Sequence, residues 1–265
     1  VRRNALNKGQ MTLDQAIHIL DLCRDYRGKD LETMDILGGE PLLWPYLKEF
    51  IEELLRRDIK PWIFTNMIAM THEMAKWLFE RKIHITGKLN IGHFTDITEL
   101  VLQAKMVGGN LQHAKLMRKK IILLYNIGYR APLFRLQNLI RKENIRCATG
   151  YYRFCLRCNI EPDLELMGSG EIIGPEYWEI APTPLEIAEL ILKLQRIRAE
   201  FGLEPEKVLM PHIFGSCPFY DKGLYFAVDG TIRSCSNSPY TLASIHDSSA
   251  IEKAYTSPLI CNRKK

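Results

Sequence analysis

Helix-like and strand-like patterns alternate along the first ninety residues, and this alternation constrains the fold more than any other feature. Three helical patterns alternate with three strand-like runs, at residues 12–27, 33–37, 46–57, 61–64, 71–81 and 83–86. Strands separated by helices usually pair in parallel, with the helices packed outside the sheet. The fold class predicted is therefore α/β, and its functional site is expected at the carboxyl ends of the strands.

The rest of the chain continues this pattern and then changes character. Helices are predicted at residues 110–127 and 132–143, a possible strand follows at residues 144–154, and an amphipathic helix covers residues 182–201. Further on, GLYFAVDGTIRSC predicts two short strands joined at an Asp-Gly turn. We therefore expect two domains.

The predicted boundary lies near residue 208, so that residues 1–207 form the sheet domain and residues 208–265 form a small second domain. With 46% hydrophobic residues, the 265-residue chain can bury a substantial core.

Charge and hydropathy argue against two classes of partner. The chain has 36 Lys and Arg against 31 Asp and Glu, and the resulting charge of +5 is spread along the sequence. A nucleic-acid-binding protein would concentrate its basic residues in a stripe, so no nucleic acid is expected. No apolar run reaches the roughly 18 residues that cross a bilayer, so we expect no membrane contact and a cytoplasmic protein.

The cysteines favour metal or redox chemistry over a disulfide framework. There are seven, an odd number with uneven spacing, at positions 23, 147, 155, 158, 217, 235 and 261. Cys155 and Cys158 form a Cys-x2-Cys pair, which is compatible with zinc, iron-sulfur or thiol exchange, and equally with a half-buried strand. We assign no ligand role to this pair.

The stretch DILGGEPLLWP places two glycines, a glutamate and a proline at the end of the first predicted strand. Glycines without a Cβ let the backbone approach a ligand closely. The Glu40 carboxylate can bind a ligand ammonium, and Pro41 stiffens the turn. These residue types are equally well explained if the stretch is only a tight turn before a helix, with no ligand bound.

GGEPLL, residues 38–43, resembles the motif by which radical S-adenosylmethionine (SAM) enzymes hold the amino group of SAM. Thr65-Asn66 resembles the family's Thr-Asn-Gly, with Met67 replacing the glycine, and GKLN at residues 87–90 falls at the next strand end. The resemblance and these strand ends together predict SAM contacts at Gly38, Gly39, Glu40, Pro41, Thr65, Asn66, Lys88 and Asn90.

The cysteine triad of this family, Cys-x3-Cys-x2-Cys, does not occur in the 265 residues. In the family it precedes the first helix and holds the [4Fe-4S] cluster from which SAM receives an electron. Because the first helix here begins near residue 12, the resemblance implies that the cluster ligands lie upstream of Val1.

The late cysteines resemble a second element of such enzymes. Cys217, Gly230 and Cys235 form the pattern C-x12-G-x4-C, which is similar to the opening of a SPASM or twitch auxiliary-cluster domain. The resemblance implies an auxiliary iron-sulfur cluster ligated by Cys217, Cys235 and Cys261. The alternative is that Cys217 and Cys235 are small buried hydrophobic residues.

The fold that the resemblance implies is a partial (β/α)6 parallel barrel followed by an incomplete auxiliary domain that contains the hairpin. The implied function is reductive cleavage of SAM to a 5′-deoxyadenosyl radical, which abstracts hydrogen from a peptide or small-molecule substrate. An oxidation is the favoured outcome, and a flavodoxin or ferredoxin is the expected electron donor. No catalytic residue is assigned. Glu161, Asp163 and Glu165 are candidates to line the substrate pocket, although such carboxylates more commonly lie on the surface.

Two other functions remain open. One is a non-radical iron-sulfur or thiol-redox protein, in which GGEP is only a turn. The other is a degenerate SAM-binding module that keeps the sheet but lacks cluster chemistry.

Overall fold

A computed structural model describes residues 9–166, 177–204, 223–236 and 238–258 of the chain. Its helices are α1 (Leu13–Arg27), α2 (Leu47–Arg56), α3 (His72–Glu80), α4 (Ile97–Met106), α5 (Leu111–Ile127), α6 (Ala148–Arg157), α7 (Tyr177–Ile180), α8 (Pro184–Glu200) and α9 (Ala250–Thr256). Its strands are β1 (Thr33–Ile36), β2 (Lys60–Thr65), β3 (His84–Lys88), β4 (Phe134–Ile140), β5 (Glu161–Leu166), β6 (Tyr225–Phe226), β7 (Thr231–Arg233) and β8 (Ala243–Ser244). Within these ranges, no helix has the length and apolar composition needed to cross a membrane.

Strands β1 to β5 form one parallel sheet in which each strand lies beside its predecessor. A sheet that grows in one direction in this way curls like part of a barrel, whereas a doubly wound sheet reverses its strand order. The predicted α/β class with a parallel sheet is confirmed. The sheet has five strands in the described ranges, against the six that were expected.

Local sequence signals explain where the first helix begins and ends. The Thr12 side chain accepts a hydrogen bond from the Gln15 amide, and the Gln15 side chain accepts one from the Thr12 amide. At the other end Gly28 adopts the left-handed conformation, with φ of 69°. The capping box and glycine stop predicted from the sequence are therefore confirmed.

Two predicted elements are wrong. Residues 132–143 were expected to be helical, but they contain β4, whose side chains alternate between buried and partly exposed along its whole length. Residues 144–154 were expected to form a strand, but they contain a short 3-10 turn and most of α6. Cys155 therefore lies on a buried helix face, and the half-buried strand interpretation of the Cys155–Cys158 pair is also wrong.

One face of the parallel sheet packs against helices and forms the main core. Ile63, Ile85 and Leu136 are buried on this face, together with Leu54 of α2 and Leu78 of α3. Because side chains alternate along a strand, the other set of strand residues lies on the opposite, concave face. That face bears most of the polar side chains of the sheet.

Strands β6, β7 and β8 form a small antiparallel sheet. The predicted Asp-Gly turn is present, with Gly230 at φ of 80°, and β8 is a third strand that was not predicted. Ile232 and Ile251 pack against Ile19 and Cys23 of α1 in a second, smaller core. The predicted boundary near residue 208 lies outside the described residues, so the division into two domains stays a prediction.

Candidate functional site

The turn after β1 and the end of β2 meet at the carboxyl edge of the parallel sheet. Thr65 Oγ1 donates a hydrogen bond of 2.5 Å to Glu40 Oε1, and the Asn66 amide donates one of 2.9 Å to Oε2. The Leu42 amide also donates to Oε1, at 3.1 Å. The edge rule for parallel sheets predicted that these two segments would lie close together, and their side chains and backbone are in direct contact.

This network leaves the Glu40 carboxylate able to bind one more donor. A carboxylate offers about four acceptor positions, and three hydrogen bonds reach Glu40, two of them at Oε1. Oε2 therefore has an acceptor position to spare, and Glu40 is only partly buried. A partly exposed carboxylate held in a fixed orientation suits a ligand ammonium.

The two glycines before Glu40 present bare backbone to open space. A Cβ built on Gly38 or Gly39 would meet no other atom within 4 Å. Gly38 has φ of +147°, a conformation that glycine adopts far more readily than other residues. The backbone beside Glu40 is therefore exposed and accessible from outside the protein.

Met67 occupies the position at which the radical SAM motif has glycine, and the structure explains how it fits. Its φ is 64°, in the left-handed region that favours glycine, yet its side chain is fully buried. A Cβ added to Gly87 of β3 would lie 2.5 Å from Met67 Sδ, so the methionine fills the space above that glycine. Thr65 Oγ1 accepts a hydrogen bond from the Met67 amide and steadies the turn.

Lys88 lies on the concave face of the sheet in a polar row across three strands. Lys88 is the register partner of Gln137, which is the partner of Asp163, and Gln137 donates a side-chain hydrogen bond to Asp163. Burial lowers the pKa of the Lys88 ammonium, although the nearby Glu165 and Asp163 carboxylates oppose this shift. Burial likewise raises the pKa of Asp163, against the opposing charges of Arg135 and Lys88.

Two members of this face escaped the sequence analysis because β4 was predicted as a helix. Arg135 stacks over the Trp62 ring at 4.3 Å and donates a hydrogen bond of 2.7 Å to Glu161. Gln137 belongs to the polar row. In the sequence, the apolar–polar alternation of Phe134, Arg135, Leu136 and Gln137 is the strand signal that could have identified them.

Asn90 has a different environment from the other predicted SAM contacts. It is only 4% exposed, and its Oδ1 accepts a hydrogen bond of 3.1 Å from the Leu139 amide. Its own amide donates to Gln103 Oε1 at 2.7 Å. These contacts tie the loop after β3 to α4 and to the end of β4. Its predicted contact with SAM stays a prediction.

The proposed auxiliary-cluster ligands are only partly described. Cys235 follows β7 and is partly exposed, whereas Cys217 and Cys261 lie outside the described residues. Among the residues that are described, no three His, Cys, Asp or Glu side chains are placed to hold a metal ion. The structure therefore describes one of the three proposed ligands, and the auxiliary cluster stays a prediction.

The buried cysteines of the sheet region are poor nucleophiles. Burial raises the pKa of Cys147 to about 11, and it raises the pKa of Cys155 further. Because the thiolate is the reactive form, these shifts disfavour thiol exchange at either residue.

Solved structures of two proteins share this fold. The anSMEcpe structure with bound AdoMet (SAM) and Kp18Cys peptide matches with a TM-score of 0.67 and 12% identity, over 97% of this chain and 75% of that one. SuiB of Streptococcus suis bound to its precursor peptide SuiA matches with a TM-score of 0.68 and 13% identity, over 96% of this chain and 61% of that one. SuiB has also been solved bound to S-adenosylmethionine.

Sequence comparison gives no such match. No protein-family model matches the chain, and none of the curated proteins matches its sequence. At 12–13% identity, the likeness to the two solved proteins is a likeness of fold.

Proposed function

We propose that this chain is the SAM-binding part of a radical SAM enzyme that modifies a peptide. The observation that carries the proposal is the Glu40 carboxylate, fixed by Thr65 and Asn66 beside the bare backbone of Gly38 and Gly39. This arrangement suits the amino group of SAM, as the resemblance of GGEPLL to the family motif implies.

The fold comparison supports the same proposal. The matched proteins are radical SAM enzymes, and their structures hold SAM and peptides. This chain spans 75% of anSMEcpe and 61% of SuiB, so the activity of a whole enzyme is inferred for it by analogy. A peptide is preferred over a small molecule because both matched proteins were solved with one bound.

The residues of this chain would bind and orient SAM. Glu40 accepts a hydrogen bond from the SAM ammonium, while Thr65 and the Asn66 amide keep the carboxylate aimed at it. Gly38 and Gly39 leave room for the methionine part of SAM against the backbone. Pro41 is buried and starts the 3-10 turn, which fixes the direction of the chain after the glycines.

The polar row of the concave face would face the substrate. Lys88, Gln137 and Asp163 offer both donors and acceptors to a peptide backbone. In the radical SAM family, reductive cleavage of SAM supplies a 5′-deoxyadenosyl radical that abstracts hydrogen from the substrate, and this is the chemistry that the proposal assigns.

The iron-sulfur part of the proposal depends on the sequence pattern alone. It comprises the [4Fe-4S] cluster that SAM cleavage needs and an auxiliary cluster on Cys217, Cys235 and Cys261. A flavodoxin or ferredoxin is the proposed electron donor.

Calorimetric titration tests the role of Glu40. Glu40→Gln keeps the shape but removes the charge, and a hydrogen bond to a charged group contributes about 1.5–3 kcal/mol. We therefore expect SAM to bind the variant roughly ten- to a hundredfold more weakly. Affinity for 5′-methylthioadenosine, which lacks the amino acid part of SAM, should stay the same.

Glu49→Gln is the matched control, because Glu49 is an exposed glutamate on α2 away from the turn. Equal SAM affinity in the Glu40 and Glu49 variants would overturn the assignment of Glu40. A loss of methylthioadenosine affinity in the Glu40 variant would indicate damage to the turn and not loss of an ammonium contact.

Anaerobic reconstitution with iron and sulfide tests the radical chemistry. The protein tested must include the residues upstream of Val1, where the resemblance places the cysteine triad. With dithionite and SAM, it should produce 5′-deoxyadenosine above a control without protein. SAM binding without 5′-deoxyadenosine would instead favour a SAM-binding module. Iron binding without SAM binding would favour a non-radical iron-sulfur or thiol-redox protein.

A further inference from the structure

Helix α5 presents a strongly basic face away from the sheet. Lys115, Arg118, Lys119 and Ile122 lie three, four and seven residues apart, so they share one side of the helix. Lys115, Lys119 and Ile122 are exposed, and Arg118 is partly exposed. The side is therefore accessible along about two turns.

These cations are not neutralised within the described structure. The 17 residues of α5 include no Asp or Glu, although they include Lys115, Arg118, Lys119 and Lys120. Across the described ranges, no carboxylate lies within 4 Å of any of these four side chains, although Arg118 donates a hydrogen bond of 3.4 Å to the Phe94 carbonyl. By contrast, Lys105 of the neighbouring α4 is paired with Glu143.

Helix α4 places an apolar surface beside this basic face. Ile97, Leu100, Val101 and Ala104 form one stripe of the helix, since they repeat at spacings of three and four residues. Leu100 and Ala104 are buried, whereas Ile97 is 56% exposed and Val101 53% exposed. One edge of the stripe, Leu100 and Ala104, therefore lies in the core, and the other edge, Ile97 and Val101, lies in solvent.

A groove of about 360 Å³ lies between the two helices. Leu100 of α4 and Ile122 of α5 supply its apolar surface, and Lys115, Arg118 and Lys119 supply its charges. Ile122 is 46% exposed. Ile122 is thus an exposed aliphatic side chain among cations that have no carboxylate partner in the described structure, a combination that offers an acidic partner both apolar contact and charge complementarity.

We propose that this groove docks an acidic amphipathic helix of a partner protein. The partner would insert leucine-like residues against Leu100 and Ile122 and place glutamates or aspartates beside the three cations, as in helix-in-groove recognition. A membrane surface would need a large continuous apolar face, whereas the groove offers two aliphatic side chains, Leu100 and Ile122, among three cations. Nucleic acid would use the cations but would not need the exposed aliphatic side chains.

Fluorescence anisotropy tests the proposal with a defined probe. The probe is a labelled helical peptide with leucines on one face and glutamates on the other, titrated with the full chain. We expect saturable binding that weakens as salt is raised, because salt screens exposed charges. The same peptide with lysines in place of glutamates should not bind.

Charge reversal on the groove should remove this binding. Lys115→Glu with Lys119→Glu should weaken binding of the acidic peptide by about tenfold or more at low salt. Ile122→Ser should weaken it by roughly fivefold with little change in salt dependence, because it removes apolar area and no charge. All these side chains are exposed, so the variants should unfold at unchanged urea concentrations.

Lys76→Glu with Lys193→Glu is the matched control, with the same charge change on exposed positions of α3 and α8. If the control weakens binding as much as the groove variant does, the attraction is general and the proposal is wrong. Binding to phosphatidylserine vesicles or to single-stranded RNA with none to the acidic peptide would also overturn it, in favour of a lipid or nucleic-acid surface.

Discussion

The sheet region and the C-terminal hairpin region differ in how their cores are built. The sheet unit, residues 9–166 and 177–204, has a core that joins all five parallel strands to the helices on one side. The hairpin unit, residues 223–236 and 238–258, buries a few small aliphatic side chains and depends on Ile19 and Cys23 of α1 to cover them. A three-stranded sheet of this size rarely buries enough apolar area to fold alone.

Helix α1 therefore serves two cores at once. Ala16 and Leu20 face the parallel sheet, and Ile19 and Cys23 face the hairpin unit. His18 adds a hydrogen bond of 3.1 Å between its Nε2 and the Ile245 carbonyl. We infer that the hairpin unit needs the sheet unit for stability, while the sheet unit depends much less on the hairpin unit.

The largest expected effect comes from the core of the sheet unit. Phe134→Ala removes a fully buried ring at the start of β4, packed edge-on against Tyr129 at 6.1 Å. The loss of buried area and the resulting cavity should lower the free energy of unfolding by about 3–5 kcal/mol. Urea unfolding followed by circular dichroism measures this.

Both units should unfold together in the Phe134 variant, because α1 loses its support when the sheet opens. Phe201→Ala is the control, since Phe201 is 36% exposed and should cost much less. A hairpin unit that stays protected from hydrogen exchange while the sheet is unfolded would contradict the proposed dependence.

The next largest effect is confined to the hairpin unit. Ile232→Ala truncates a fully buried residue at the centre of the small core. We expect its local opening free energy to fall by about 2–4 kcal/mol, so that amides of β7 and α9 exchange quickly. Amides of β1 to β5 should keep their protection, as measured by native-state hydrogen exchange.

Loss of protection in the parallel strands of the Ile232 variant would mean that the two units form a single cooperative unit. The same experiment should be run with SAM present. If the candidate site belongs to the sheet unit alone, SAM affinity should be unchanged in this variant.

Local signals were enough to predict the parts of the fold that depend on short-range structure. The ends of α1, the Asp-Gly turn before β7 and the helix after Thr183 all depend on caps and turns that a few residues specify. Thr183 and Glu186 form the capping box of that helix. The alternation of helices and strands also predicted correctly that Glu40 and Thr65 lie at the same edge of the parallel sheet.

Elements whose identity depends on distant partners were predicted wrongly. FRLQNLI has apolar residues at both helical and strand spacings, and pairing with β3 and β5 decides in favour of a strand. In α6 the buried residues Ala148, Tyr151, Tyr152 and Cys155 repeat at helical spacing, a signal that was available in the sequence. Because β4 was predicted as a helix, the polar row of the concave face was not predicted.

A smaller expected effect is a pH dependence of the stability of the sheet unit. In the sheet unit, hydrogen bonds from Arg56 and Arg57 lower the pKa of Glu53 from 4.5 to about 2. Arg57 also donates to Asp21 at 2.8 Å, which links α2 to α1. Because the pKa is lower in the folded state, this contribution is present above pH 4.5 and is lost as the pH falls toward 2.

Glu53→Gln should lower the free energy of unfolding by about 1–2 kcal/mol at neutral pH. The difference from wild type should shrink as the pH falls below 4.5. Urea unfolding at a series of pH values measures this, with Glu49→Gln as an exposed control on the same helix. A difference that stays constant down to pH 2 would show that Glu53 acts through packing and not through its charge.

The smallest expected effect lies at the contact between the units themselves. Tyr26 of α1 stacks on Tyr255 of α9, with ring centroids 5.7 Å apart and planes inclined by 20°. Such a pair contributes about 0.5–1.5 kcal/mol beyond its buried area. Tyr26 is 50% exposed, so we expect a coupling energy at the lower end of this range.

A double-mutant cycle with Tyr26→Leu and Tyr255→Leu isolates this coupling. Its readout should be the opening free energy of α9 by hydrogen exchange, since global unfolding would average it away. A coupling near zero would leave the apolar contacts with Ile19 and Cys23, together with the His18 hydrogen bond, as the attachment of the hairpin unit to α1. A measurable coupling with unchanged protection of β1 to β5 would mean that the hairpin unit can loosen at α9 without disturbing the sheet that holds Glu40.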